Sequence, residues 1–171
     1  NEKPLYLMYD QIYAMLTFDE EHFNPVSLFP EMKKYTVFID GTSKSFAATG
    51  VRVGWSFGPA EIIDKMKSLL GHIGAWAPKP EQQAVSVFLG ETENVDFFVN
   101  DFKGKIAESL KILHTGIQEM KSRGMQVDSI KPMGALYLTI ELDYLGKTKP
   151  DGSQIADSSD LVFYLINEAG V

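Results

Sequence analysis

Short apolar runs alternate along the chain with segments in which apolar residues recur every three or four positions. The short runs are rich in β-branched and aromatic residues and predict strands at residues 4–9, 35–39 and 51–57. The helical spacing predicts helices at residues 60–70 and 81–89. Strands that precede helices in this way favour an α/β lobe for the first half of the chain.

One amphipathic pattern is much longer than the others. It runs from residue 92 to residue 123, with apolar positions three and four apart. A helix of roughly 30 residues would be about 45 Å long, which exceeds the usual helix of a globular protein. We expect this helix to connect two lobes, with Gly104 and Gly116 as positions where it could bend.

The pattern changes again beyond Gly124. Residues 125–130 and 134–142 predict two strands, and residues 143–158 predict a polar loop. A helix is predicted at residues 160–168, with Ser158 or Ser159 as its N-cap. The last part of the chain is therefore expected to be a smaller α+β lobe.

Composition narrows the class of protein. Apolar residues make up 44% of the 171 residues and charged residues 23%, as in soluble globular proteins. The net charge of −7 disfavours nucleic acid as a partner, because phosphate backbones attract clustered Lys and Arg. No apolar run is long enough to predict a membrane helix. The absence of cysteine excludes disulfides and thiolate metal sites, and we predict a cytoplasmic location.

The candidate chemistry lies in two segments. After the second strand, Asp40 and Gly41 predict a turn, and Lys44 follows among small and hydroxyl residues. Arg52 comes eight positions later, within an apolar and glycine-containing run. Upstream, Asp10 ends the first strand and Tyr13 follows three positions later. In open α/β sheets, ligands collect at the carboxyl ends of strands.

These residue types suit pyridoxal 5'-phosphate. Lys44 offers an amine for its aldehyde, and Arg52 offers a fork of donors for its phosphate. Ser43 adds a hydroxyl for the phosphate, as Thr42 or Ser45 could. Taken singly, each residue has a plainer interpretation as a surface lysine, a strand-rim arginine or a turn residue.

Asp10 and Tyr13 would complete such a site. A carboxylate beside the pyridine nitrogen keeps that nitrogen protonated, and the phenol of Tyr13 could reach the ring's 3-oxygen. The plainer interpretations are a turn or cap aspartate and a core tyrosine. The three histidines lie far apart in the sequence, and we predict no metal site.

The motif order carries a family resemblance. Asp-x-x-Tyr at residues 10–13, followed by Ser-Lys-x-Phe-Ala-x-Thr-Gly-x-Arg-x-Gly at residues 43–54, resembles the class I/II aminotransferases of the fold-type I pyridoxal phosphate enzymes. Residues 132–137 are similar to the Gly-Ala-Phe-Tyr strand of that family's small domain, and residues 167–171 to the stretch before its last strands.

The resemblance implies a fold and a domain plan. Residues 1–91 would be the C-terminal part of a large cofactor-binding domain, with a mainly parallel sheet flanked by helices. Residues 92–123 would be the long interdomain helix, and residues 124–171 an incomplete small C-terminal α+β domain.

The resemblance also implies roles. Lys44 would form the Schiff base and would then move a proton at the substrate's Cα. Asp10 would bind the pyridine nitrogen, Tyr13 the 3-oxygen, and Arg52 with Ser43 the phosphate. The reaction would move an amino group between an amino acid and a 2-oxo acid, in a homodimer.

Three features of the family lie outside these 171 residues. They are the glycine-rich turn under the phosphate, the Asn-Pro segment before the aspartate strand, and the late arginine that clamps the substrate carboxylate. We therefore expect the chain to be a fragment that cannot transaminate alone. The substrate is not indicated by the sequence.

Two alternatives stay open. The same lysine loop occurs in other fold-type I enzymes, so a β-lyase or a synthase is one. A non-catalytic, aminotransferase-like effector-binding domain of a regulator is the other.

Overall fold

A computed structural model describes residues 4–170. Residues 1–3 and Val171, the ends of the first and third predicted parts, lie outside the described residues. The chain divides into two compact units. The first contains the residues up to Glu108 together with Met133–Leu136, and the second contains Ser109–Pro132 and the residues from Tyr137 onward. The three-part division at residues 91 and 123 stays a prediction.

The first unit is built on a three-stranded sheet in the order β1-β2-β3. The strands are β1 (Leu7–Asp10), β2 (Thr36–Gly41) and β3 (Gly54–Phe57). The predicted parallel pairing holds for β1 and β2, whereas β3 runs antiparallel to β2. The carboxyl ends of β1 and β2 and the start of β3 therefore share one edge of the sheet.

The middle strand forms the centre of this unit. Thr36, Val37 and Phe38 of β2 are buried. The ring of Phe38 stacks on Phe57 of β3 with 4.8 Å between centroids. Apolar burial of this kind contributes roughly 25 cal/mol per Å², so β2 is the strand whose side chains contribute most to holding the sheet together.

Two short helical segments lie between β1 and β2, in a stretch for which the sequence predicts no helix or strand. They are α1 (Pro25–Leu28) and a 3-10 turn (Pro30–Lys34). The Asn24 side chain caps α1 by accepting from the backbone of Val26 and Ser27. Segments this short show no helical period in the sequence, so they could not be predicted from it.

Three longer helices follow the sheet, namely α2 (Ala60–Ile73), α3 (Lys79–Gly90) and α4 (Thr92–Ser122). All three match predicted helices. Helix α2 ends at Gly74, whose φ of 65° is the left-handed conformation that suits a glycine C-cap. Helix α4 has 31 residues and continues through Gly104 and Gly116, and the boundary between the two units falls inside it.

The second unit contains an antiparallel pair of strands, β4 (Val127–Ser129) and β5 (Ile140–Leu142). The strand predicted at residues 134–142 is regular only over its last three residues, and Ala135, with a φ of 59°, interrupts its first part. Helix α5 (Ser158–Tyr164) continues into a π-helical turn. Its N-cap is Asp157 rather than the predicted serines.

None of the helices within residues 4–170 is long and apolar enough to span a membrane.

Candidate functional site

The predicted site residues start from one edge of the sheet. Asp10 is the last residue of β1, Gly41 is the last of β2, and Gly54 is the first of β3. Gly41 and Gly54 are paired, and a Cβ on Gly41 would lie 3.0 Å from the carbonyl oxygen of Val53. This close approach of two backbones explains why glycine stands at the entry and the exit of the lysine loop, defined here as residues 42–53.

Buried Thr42 closes the base of the lysine loop. Its backbone N–H and its hydroxyl both donate to the Val53 carbonyl, each at 3.1 Å. Thr42 is 3% exposed, so both bonds are shielded from water. Inside the loop, the N–H of Ala47 donates to the carbonyl of Lys44 at 3.1 Å. Lys44 therefore lies in a tight turn of a loop whose two ends are joined by the hydrogen bonds between Thr42 and Val53.

The loop backbone is strained at two non-glycine residues. Ala47 has a φ of 50° and Arg52 a φ of 59°. This left-handed region is unfavourable for residues with a Cβ, and such outliers cluster at functional sites. One nitrogen of Arg52, Nη1, donates to the carbonyl of Thr49 at 2.9 Å. That bond orients the guanidinium and uses one of its five N–H donors.

The segment after β1 forms a tight turn beside the lysine loop. The carboxylate of Asp10 accepts a bond from the N–H of Ile12 at 3.0 Å. The Tyr13 ring lies in this turn, and its centroid is 6.0 Å from Nζ of Lys44. A lysine ammonium at this distance from an aromatic ring is attracted to it. The structure thus brings together Lys44 and Tyr13, which the sequence separates by 31 positions.

The neighbouring hydroxyls of the loop divide into two kinds. Those of Thr42 and Ser45 are buried and directed at backbone carbonyls, Ser45 toward that of Ile12 at 3.5 Å. They hold the loop and the turn in place. Ser43 is half-buried and lies between Thr42 and Lys44.

The two cations of the lysine loop, Lys44 and Arg52, pair with no acidic side chain in the part of the chain that the structure describes. Within residues 4–170, no ion pair joins either of them to a carboxylate. A cation that is half-buried or held by a strained backbone, with no anion beside it, is suited to bind a negatively charged ligand.

One acidic residue at this edge, Asp40, was not among the site residues predicted from the sequence. Asp40 was predicted to lie in a turn, but it is part of β2. Its carboxylate accepts from the N–H of Gly41 at 2.7 Å and from the Gln11 amide at 3.2 Å. Burial raises the pKa of Asp40 above its ordinary value, although these two hydrogen bonds act in the opposite direction. The position of Asp40 directly after the apolar run at residues 37–39 is the sequence signal that could have placed it at the end of β2.

Comparison with known proteins identifies the family. The model of the family "Aminotransferase class I and II" matches residues 1–171. A protein of Rhizobium leguminosarum bv. phaseoli named "Probable aspartate/prephenate aminotransferase" is 30% identical over 169 residues. That match covers 98% of this chain and 40% of the relative. The aspartate aminotransferase of Geobacillus stearothermophilus is 32% identical over 131 residues, which are 75% of this chain and 31% of the relative.

Solved structures agree with the sequence matches. The crystal structure of the aspartate aminotransferase from Rhizobium meliloti superposes with a TM-score of 0.82 at 26% identity. The superposed region covers 96% of this chain and 40% of the solved chain. The matches thus span 31% to 40% of the length of these relatives. It belongs to the class I and II aminotransferase family and has part of the fold-type I architecture.

Proposed function

We propose that this chain supplies the lysine side of the pyridoxal phosphate site of an aminotransferase, an enzyme that moves an amino group between an amino acid and a 2-oxo acid. The observation that carries the proposal is the placement of Asp10, Tyr13, Lys44 and Arg52 around one edge of the sheet. Membership of the aminotransferase family supports it.

The lysine loop fits the phosphate end of the cofactor. The guanidinium of Arg52 is held through Nη1, which leaves further N–H donors for phosphate oxygens. Ser43 would add a hydroxyl donor, because the hydroxyls of Thr42 and Ser45 already bond to the backbone. The left-handed backbone at Arg52 gives this side chain a direction that a regular strand would not give it.

Lys44 would hold the cofactor's aldehyde carbon until the amine of the substrate displaces it, and the freed amine of Lys44 would then be available as the base. Bound pyridoxal phosphate supplies a ring that withdraws electrons from the substrate's Cα. Nζ of Lys44 would then take the proton from Cα and return it to the cofactor's carbon. A primary amine can do this only when it is not locked in an ion pair, and Lys44 forms none within the described residues.

Asp10 and Tyr13 would fix the ring. The Asp10 carboxylate is oriented by the N–H of Ile12 and would face the pyridine nitrogen. An opposite charge pair at about 4 Å is worth about 4 kcal/mol at an effective dielectric of 20, before desolvation costs. The Tyr13 phenol would donate to the ring's 3-oxygen, on the side where its ring lies beside Lys44.

The whole reaction needs more chain than is present here. The relatives extend well beyond the matched 40%. We propose that the 171 residues form the side of the cofactor site that contains Lys44, and that they do not catalyse transamination by themselves. We also propose that the full-length protein is a homodimer, which membership of the family supports. We propose a cytoplasmic location, with which the absence of cysteine is compatible. Light scattering of the full-length protein would test the dimer.

A transfer assay tests the proposal. Aspartate is the first amino donor to try, because the relatives described above are named as aspartate or aspartate/prephenate aminotransferases. We expect the full-length protein with pyridoxal phosphate to convert a 2-oxo acid into its amino acid in step with loss of aspartate. Lys44→Ala should abolish this conversion. Lys105→Ala, at an exposed position in α4, should not change it.

The same assay separates the alternatives. Release of pyruvate and ammonia without an amino acid product would favour the β-lyase. Cofactor binding without turnover of any amino acid would favour the effector-binding domain. Turnover by the 171-residue chain alone would contradict the proposed need for further chain.

A further inference from the structure

A short segment from the far part of the chain pairs with the turn that carries Tyr13. Residues 133–136 belong to the first compact unit, although the residues on both sides of them belong to the second. The N–H of Phe18 donates to the carbonyl of Met133 at 3.0 Å, and the N–H of Ala135 donates to the carbonyl of Leu16 at 2.8 Å. Thr17 and Gly134 form the antiparallel bridge between these two bonds.

The contact is too close for any side chain at Gly134. A Cβ at this position would lie 2.8 Å from the Leu16 carbonyl oxygen and 3.4 Å from Cα of Thr17. Real Cβ atoms essentially never approach backbone atoms at the shorter distance. Leu16 is 0% exposed and cannot move aside without disturbing the core. Ala135, with its φ of 59°, adds a strained residue at the same place.

Backbone hydrogen bonds lead from this bridge to Tyr13. The N–H of Leu16 donates to the carbonyl of Tyr13 at 2.9 Å. The N–H of Ala14 donates to the carbonyl of Gln11 at 2.8 Å. The N–H of Gln11 in turn donates to the carbonyl of Ile39 in β2. The turn is therefore held at two ends, by β2 on one side and by residues 133–136 on the other.

We propose that residues 133–136 are a positioning element for Tyr13. They hold the Leu16 carbonyl, and through it the turn, so that the phenol reaches the 3-oxygen of the cofactor. This inference rests on the proposed function, because it needs a pyridoxal phosphate bound at Lys44. No atom of residues 133–136 needs to touch the cofactor.

The variant Gly134→Ala tests the proposal by absorption spectroscopy. In the full-length protein with pyridoxal phosphate, a hydrogen bond from Tyr13 to the ring's 3-oxygen would favour the ionised form of that oxygen, and it would therefore shift the pH midpoint at which the absorption of the bound cofactor changes. We expect Gly134→Ala to move that midpoint by about 0.5 to 1 pH unit, the equivalent of one weakened hydrogen bond. Gly104→Ala, whose Cβ would meet nothing within 4 Å, is the matched control and should not move it.

A second substitution shows whether the effect passes through Tyr13. In a Tyr13→Phe background the phenol is absent, so adding Gly134→Ala should produce no further shift. An unmoved midpoint in Gly134→Ala overturns the proposal. A shift of the same size in the Tyr13→Phe background also overturns it.

Hydrogen exchange on the unmodified protein covers the case in which Gly134→Ala does not fold. If the bridge positions Tyr13 for the cofactor, linkage requires that the cofactor also stabilises the bridge. We expect pyridoxal phosphate to slow exchange of the Phe18 and Ala135 amides about fivefold or more. The Lys149 amide, which donates to Ser153 in the second unit, should not change. Equal exchange of Phe18 and Ala135 with and without bound cofactor would overturn the proposal.

Failure of the proposed function gives a different result. In that case the unmodified protein shows no lysine-dependent absorption band at all, and the positioning role is overturned with it. A normal band in the unmodified protein, combined with unchanged behaviour of Gly134→Ala, contradicts the positioning role alone.

Discussion

The lysine loop and a polar cluster in the second unit both concentrate polar and charged side chains, but they differ in how those groups are satisfied. The second cluster, called here the Asp128 cluster, consists of His114, Gln118, Lys121, Asp128 and Ser129. Its members bond to one another: Lys121 Nζ lies 2.5 Å from Asp128 Oδ2, and the Gln118 amide donates to Asp128 Oδ1 at 2.9 Å. Nδ1 of His114 lies 2.7 Å from the Ser129 hydroxyl.

The lysine loop is different because its two cations meet no carboxylate within the described residues. Lys44 lies beside the ring of Tyr13, and Arg52 bonds to a backbone carbonyl. Two of its residues, Ala47 and Arg52, also have left-handed backbone conformations. The polar groups of the Asp128 cluster satisfy one another and fasten α4 to β4, whereas the cations of the lysine loop, which meet no carboxylate within the described residues, support the proposed binding site.

The largest effect should come from Arg52→Ala. Loss of the guanidinium removes charge-assisted bonds to the phosphate, which we expect to cost about 2 to 4 kcal/mol, or roughly 30- to 1,000-fold in cofactor affinity. Equilibrium dialysis of pyridoxal phosphate with the full-length protein measures this. Lys121→Ala removes a cation from the Asp128 cluster and should leave the affinity unchanged. Equal losses in both variants would end the distinction between the two regions.

Substitutions at two adjacent hydroxyls sharpen the account of the lysine loop. Thr42→Val keeps the shape of the side chain but removes the buried bond to Val53, so the free energy of unfolding should fall by about 1 kcal/mol. Ser43→Ala should leave the free energy of unfolding nearly unchanged and should weaken cofactor binding. Urea unfolding of both variants measures the free energy of unfolding, and equilibrium dialysis measures their affinity for pyridoxal phosphate. A Ser43→Ala protein that is destabilised but binds normally would contradict the division of roles.

The Asp128 cluster predicts a pH-dependent stability effect. The hydrogen bond from Lys121, followed by that from Gln118, lowers the pKa of Asp128 from 3.8 to about 2. A carboxylate whose pKa is lowered by folding stabilises the protein above its unfolded pKa, and this stabilisation is lost as the pH falls from 3.8 towards 2.

Asp128→Asn tests that effect by urea unfolding between pH 7 and pH 3. The variant should be slightly less stable than the unmodified protein at neutral pH, because the pair is exposed and its contribution small. The difference should shrink below about pH 4. A difference that grows towards low pH would contradict the role of the ionised carboxylate.

The smallest effect is expected at Asp40, with the opposite sign. Burial raises the pKa of Asp40, so its contribution to stability is present below the unfolded pKa and is lost as the pH rises through the folded value. Asp40→Asn removes the buried charge and keeps an oxygen that can accept from Gly41. We expect the variant to be as stable as the unmodified protein at pH 7, or slightly more stable, in thermal unfolding. A clear loss of stability there would show that the charge itself is required.

Much of the fold was predictable because its signals are local. The helical period over residues 92–123 gave α4 almost to its ends, and the apolar run of β2 gave the central strand. The short α1 was missed because four residues are too few for a period. The strand predicted at residues 134–142 was mostly irregular, since the left-handed backbone at Ala135 and the bridge to Thr17 depend on contacts distant in sequence.

The sequence allowed candidate site residues to be proposed, but it did not indicate their geometry. The motif around Lys44 indicated which residues could form the site, and the roles of these residues stay a proposal. That Thr42 and Ser45 bond to the backbone, and that the Tyr13 ring lies beside Lys44, follow only from the folded chain. Asp40 was hidden because an Asp-Gly pair usually indicates a turn.

The most direct test of the central claim is covalent trapping of the cofactor. The full-length protein is incubated with pyridoxal phosphate, reduced with borohydride and digested, and the modified peptide is identified by mass spectrometry. The account predicts an absorption band at about 400–430 nm before reduction, and after it a single modified lysine, Lys44. Lys44→Ala should show neither, and Lys121→Ala should show both. No band, or trapping on another lysine while Lys44 stays unmodified, would contradict the account.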